Sequence, residues 1–220
     1  MPRKRRPFIR PDAFRDSRLV IIAAEDTKAT VSYFETLRSS AFYQNPQVHV
    51  EILPRTTTAS SPEHVLEQLS QWRQEYQIAE NDELWLVIDV DNWGDAKLSR
   101  ISQICNQKNF FMAVSNPAIE LWFLLHITNV KDEYSAQQRQ VLFENKKVNA
   151  NRTALEQVLI EKLGKYNKSN FDAVPLMVNI HLAILHAKDL EINPNDRWPQ
   201  QLGTQVYRLV ESILDLSRDL

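Results

Sequence analysis

Glycine is almost absent: Gly94, Gly164 and Gly203 are the three glycines in 220 residues. Neither G-x-G-x-x-G nor G-x-x-x-x-G-K-[ST] can be written from those positions, which removes nucleotide sites built on glycine loops. A phosphate handled by this chain must therefore meet a metal ion, Lys or Arg side chains, or helix N-termini. Cysteine is scarcer still. Cys105 alone excludes a disulfide framework and a Cys-cluster zinc site, and it fits a reducing cytoplasm. No apolar run reaches the roughly 18–20 residues that a membrane helix needs. The first stretch, "MPRKRRPFIRPD", has charge but no apolar segment behind it, so it does not read as a secretory signal.

What remains is the composition of an ordinary globular chain, 43% hydrophobic and 25% charged. Its length suits one domain with an elaboration, or one and a half domains. The net charge of −2 hides an asymmetry. Residues 1–18 carry seven basic residues (Arg3, Lys4, Arg5, Arg6, Arg10, Arg15, Arg18) against Asp12 and Asp16, a net of +5, which leaves −7 for the rest. A basic arm on an acidic body suits contact with a phosphate backbone; a solvated tail that aids solubility explains it equally well.

The hydrophobic pattern predicts strands at "RLVIIAAE" (18–25), "VHVEIL" (48–53), "LWLVIDVDNW" (84–93) and "FFMAV" (110–114). Between them lie helices: one capped by Thr27, one from about Pro62 to Tyr76, and one opening at Asp95 with Leu98, Ile101 and Ile104 on one face. Alternating β and α elements with apolar, non-alternating strands argue for an α/β fold with a mostly parallel sheet covered on both faces. Beyond residue 115 the pattern turns helical: "NPAIELWFLLHI", "SAQQRQVLFENKKV", "RTALEQVLIEKLG", "VPLMVNIHLAILHAKDL" and "GTQVYRLVESILDLSRDL". The division expected is a basic arm (1–17), an α/β core (18–127) and a helical extension packed on that core (128–220).

Ligands of parallel sheets sit beyond the carboxyl ends of the strands. Glu25 falls there on the first strand, and Asp89 and Asp91 on the third. If those strands are neighbours, three carboxylates converge, and like charges so close call for a cation. An oxygen-only donor set suits Mg²⁺ or Mn²⁺. The competing reading is a plain turn, with Asp89 capping toward Asn92 and Gly94. Glu120, near the start of the next helix, would add a fourth acid or simply stabilise its own helix. Lys28 could meet a phosphate beside the acids, and "GKYNKSNF", with Lys165 and Lys168 around Tyr166, suits nucleic-acid contact or an exposed loop. His181 and His186 stand five apart and cannot share a metal. His126 reads as a buried histidine, and Trp93 as a wall of the acidic site.

A glutamate ending the first strand and a later apolar strand ending Asp-x-Asp resemble the TOPRIM pattern. More specifically, "EDTKATVSYF" (25–34), "VIDVDNW" (87–93), "SNPAIELWFLLH" (115–126) and "GTQVYRLVESI" are similar to the RloB family of bacterial restriction and phage-defence islands. The resemblance implies a TOPRIM-like core with Glu25, Asp89 and Asp91 as metal ligands and Glu120 as a further acid. It implies a Mg²⁺-dependent nuclease acting on DNA or RNA, or a non-catalytic subunit that docks to an ATPase encoded nearby, since this chain has no P-loop of its own. A nucleotide second messenger as ligand, and a homodimer, remain open beside these. The first motif departs from the family: Glu25-Asp26-Thr27-Lys28-Ala29-Thr30 stands where Glu-Gly-Glu-x-Thr-Glu is expected.

Overall fold

In the computed structural model, which describes residues 5–9, 16–40, 45–55, 61–90 and 93–215, the expected alternation holds. The first half runs β1 (Arg18–Ala24), α1 (Ala29–Ser39), β2 (Val48–Ile52), α2 (Pro62–Glu75), β3 (Glu83–Asp89), α3 (Asp95–Lys108) and β4 (Phe111–Asn116). The second half adds α4 (Glu120–Leu125), α5 (Val130–Glu133), α6 (Ala136–Glu144), α7 (Ala154–Leu163), α8 (Val174–Met177), α9 (Ile180–Leu190), β5 (Gly203–Thr204) and α10 (Val206–Leu214). The sheet order is β2-β1-β3-β4-β5. Its first four strands are parallel, and β5 is antiparallel on the β4 edge.

The apolar strands explain the layering. Successive side chains of β1 point to opposite faces, and all seven of its residues are buried. Leu19, Ile21 and Ala23 pack with Val65 and Leu69 of α2 and with Leu98, Ile101 and Cys105 of α3. Val20, Ile22 and Ala24 join the opposite layer, where Tyr33 and Phe34 of α1 meet residues of α4, α7, α9 and α10. Most of the second half therefore covers one sheet face, while Trp198 packs in the other layer. Among the described residues no helix is long and apolar enough to cross a membrane.

From β1 the chain crosses to β2 on one side, then returns to β3 on the other. Such a reversal opens a crevice beyond the carboxyl ends of the two central strands, where ligands of open α/β sheets bind. β1 and β3 pair directly, with Ala24 opposite Val87. Glu25 and Asp89 therefore emerge side by side.

Several local expectations are corrected. Thr27 is not the cap of α1: Asp26 accepts from the Thr30 N–H at 2.7 Å and from the Lys28 N–H at 3.3 Å, the usual work of a short acidic side chain at a helix start. The stretch 116–127 is not one helix, because β4 continues to Asn116 and a cis Asn116–Pro117 bond precedes α4. The helix expected over "SAQQRQVLFENKKV" ends at Glu144, and Lys147–Asn149 pairs with Arg152–Thr153. The long helix over "VPLMVNIHLAILHAKDL" is two helices, α8 and α9. "GT" at 203–204 is the edge strand β5.

Arg18 does not belong to a free arm. Its side chain is 5% exposed and pairs with Glu83 at the start of β3. It also donates to Ser212 Oγ at 2.7 Å on α10 and lies 3.4 Å from Asp215. Ser212 Oγ in turn donates to Glu83. This network ties the first strand to the last helix.

Candidate active site

Glu25 leaves β1 with its backbone N–H still bonded to the Val87 carbonyl, which continues the ladder by one residue. Its carboxylate accepts from the indole N–H of Trp93 at 2.9 Å and from the Asp89 N–H at 3.4 Å. Trp93 is thus a wall of the site, as its position in the sequence suggested, and it fixes the direction of Glu25. Lys97 covers its ring at 4.1 Å. Arg55, just beyond β2, donates to the Glu25 carbonyl at 2.8 Å. Nothing in the sequence marked Arg55; its position on the carboxyl side of β2 was the available signal.

Asp89 ends β3 at the carboxyl edge of the sheet, and only part of its surface meets solvent. Burial and the charges of Glu120, Glu25 and Asp26 push its carboxyl well above the usual range, while Lys168 pulls the other way. Four segments distant in sequence therefore contribute charge to one place. Asp26 was legible only as a neighbour of Glu25, and its role as both cap and acidic neighbour was missed.

Glu120 is buried, with a side chain 4% exposed. Its carboxylate does not turn back to its own helix. It accepts from the Tyr166 hydroxyl at 2.8 Å and lies 3.3 Å from the Lys168 ammonium. Burial opposes the Lys168 charge, but Glu120, Asp26 and Asp89 outweigh it, so the amine is held protonated beyond an ordinary lysine. Burial and the charge of Glu120 raise the Tyr166 phenol, which stays a donor. Lys28 reaches the same loop, donating to Ser169 Oγ at 2.9 Å. The segment around Tyr166 and Lys168 is thereby laid against the acids.

The remaining candidates separate. Lys165 is exposed on the outer side of that loop. Arg6 pairs with Glu75 at 3.0 Å and stacks on Tyr76, where Arg6–Pro7 runs parallel to Tyr76–Gln77. That is the end of the sheet from which the strands start, away from the carboxylates. Arg5 adjoins it. Arg3, Lys4 and Asp91 lie outside the described residues. Among the described residues no three His, Cys, Asp or Glu side chains are gathered as a metal ion would need. Cys105 is buried, and burial pushes its thiol up to about 12, which removes it as a nucleophile.

His126 serves the fold. Its Nδ1 bonds the Trp122 carbonyl at 2.9 Å, and its Nε2 lies 3.1 Å from the Tyr33 hydroxyl. With Nδ1 donating to the carbonyl, Nε2 accepts from Tyr33, and α4 is locked to α1. Burial lowers this imidazole to about 4. A histidine that stays neutral when folded but protonates near its ordinary value when unfolded loses stability on acidification, from about pH 6.5 down to about 4. The expected loss is roughly 3 kcal/mol. Urea titrations across that range should show it, and His126→Gln should flatten the dependence; an unchanged slope in the variant would assign the acid sensitivity elsewhere.

No curated protein and no solved structure matches the chain. A family model does: that of the RloB-like proteins covers residues 20–213, a span holding Glu25, Asp89, Glu120 and Lys168. The chain belongs to the RloB-like protein family.

Proposed function

We propose that this chain is a divalent-metal-dependent phosphodiesterase acting on nucleic acid, with a TOPRIM-like centre, in a bacterial anti-phage defence system. The observation that carries the reading is the placement of Glu25 and Asp89 side by side at the switch point of the sheet, the Asp89 N–H bonded to the Glu25 carboxylate at 3.4 Å, with the charges of Glu120 and Asp26 near enough to raise the Asp89 carboxyl. Neighbouring like charges in a partly buried place are stabilised by a cation. The donors are all carboxylate oxygens, the set that suits Mg²⁺ or Mn²⁺. Glu25 and Asp89 would hold the ion, with Asp91 next along the chain. When bound, it would supply Lewis-acid stabilisation of charge on a phosphodiester oxygen and favour deprotonation of an attacking water.

The chain's own residues supply the rest. Trp93 orients the Glu25 carboxylate, and Arg55 steadies the peptide that carries it. Glu120 acts through Lys168: it keeps an ammonium beside Asp89, where it can meet a phosphate oxygen as a point charge. Lys28 stands on the same side. Water is the proposed nucleophile.

The test is cleavage of labelled DNA, RNA and total tRNA by the full chain with Mg²⁺ or Mn²⁺, alone and with an ATPase encoded beside its gene. EDTA-sensitive cleavage is expected. No cleavage of any substrate under any of these conditions would overturn the reading. One observation favours a second reading, a non-catalytic subunit docking to that ATPase: the Glu120 carboxylate is already neutralised from within by Lys168 and Tyr166. That subunit would bind the ATPase equally well after Asp89→Asn and show no divalent-dependent chemistry.

A further inference from the structure

Tyr166 belongs to two places at once. Its hydroxyl donates to Glu120, and the residue also lines a cavity of about 560 Å³. Ile160 and Phe171 supply further apolar lining, and Arg152 and Lys165 supply two cations. Asp172 also lines it, its carboxylate accepting from the Val174 N–H at 3.2 Å. Tyr166 and Phe171 meet edge to face, with ring centroids 5.3 Å apart. The volume is that of a small-ligand site. Tyr166 is the residue common to this cavity's lining and to the bond with Glu120.

We propose that this cavity is a subsite for one unpaired nucleotide of the strand whose phosphodiester enters the crevice, so that the chain selects single-stranded nucleic acid. The inference rests on the phosphodiesterase reading. A base within a duplex is stacked on both faces and paired along its edge, so it cannot enter a recess; an unpaired base can be splayed into one. Arg152 and Lys165, both exposed, match the phosphates on either side of such a nucleotide. The apolar walls match the base. Asp172 repels a phosphate but accepts from a base amino group, so the cavity favours a base end inward with phosphates at the cations. The loop ties both sites together: Lys168 points to the acids and Lys165 to the cavity, with Tyr166 between them.

The test measures binding in EDTA, where no cleavage intervenes, using fluorescence anisotropy with a labelled single strand and a labelled duplex of the same length. The wild-type chain should bind the single strand at least tenfold more tightly. Arg152→Ala with Lys165→Ala, two changes on the surface, should weaken single-strand binding by roughly tenfold or more. It should also reduce the slope of log affinity against log salt by about 1.4, the value for two phosphate contacts on a single strand. Equal affinity for single strand and duplex would overturn the proposal, as would an unaltered double variant or no binding of either probe. Single-strand preference that depends on Arg152 and Lys165 in a chain that cleaves nothing would sustain the subsite while removing the hydrolytic reading. Cleavage of duplex and single strand at equal rates, with the double variant unaffected, would do the reverse.

Discussion

Asp89→Asn is expected to lower divalent-dependent cleavage by roughly 10²–10³-fold, the scale on which single preorganised electrostatic groups act in such centres. The residue combines two properties that a turn residue would not need. It sits at the carboxyl end of β3, directly beside the strand that carries Glu25. Burial and the charges of Glu120, Glu25 and Asp26 also push its carboxyl well above the usual range, with Lys168 opposing. Asparagine keeps its volume and removes the charge, so a cation held there would lose a ligand while the backbone N–H to Glu25 is retained. The fold should not suffer. Removing one of several mutually repelling charges relieves an unfavourable term, so the thermal midpoint without metal is expected to stay level or rise. A variant that loses activity only because it unfolds would show a fall instead. Full activity in a folded Asp89→Asn chain would take Asp89 out of the chemistry.

The second large effect concerns stability. Arg18→Met is expected to destabilise the chain by about 3 kcal/mol, the lower end for breaking a buried ion pair, because Glu83 keeps some exposure. For a chain of this size that corresponds to a fall of roughly 6–12 °C in the melting midpoint. The loss has a clear physical source: Glu83 and Asp215 lose their counter-charge, and the Ser212 carbonyl loses a donor. Arg18→Lys retains the charge but not the planar fork that serves several acceptors at once, and should fall between wild type and Arg18→Met. A shift under about 1 kcal/mol for Arg18→Met would mean that the network contributes no more than a surface pair.

Much of this architecture was legible in the residues because a doubly covered parallel sheet leaves a plain trace. Its strands are short apolar runs without alternation, and β1, β3 and β4 stand where those runs stand. The acids at their ends followed from the rule that places ligands at the carboxyl edge. The features that were not legible arise from pairings across long separations. Nothing local marks Arg18, counted with the basic arm, as the partner of Ser212 on α10. Nothing local shows that Glu120 turns to Tyr166 and Lys168, about 46 residues on, instead of capping its own helix. β5 is two residues long and carries no periodicity, so tertiary pairing with β4 alone defines it. At α1 the competition was local: Asp26 and Thr27 both have side chains that bond helix-start N–H groups, and the Asp26 carboxylate took that of Thr30.

Whether the crevice at the ends of β1 and β3 is a divalent-cation centre can be read directly from Mn²⁺ binding. Electron paramagnetic resonance of free Mn²⁺, titrated with the purified full chain, should show saturable loss of signal that Mg²⁺ reverses. Glu25→Gln with Asp89→Asn, folded by circular dichroism, should abolish it. Equal Mn²⁺ binding by the wild type and the folded double variant, or no binding by either, would contradict the account.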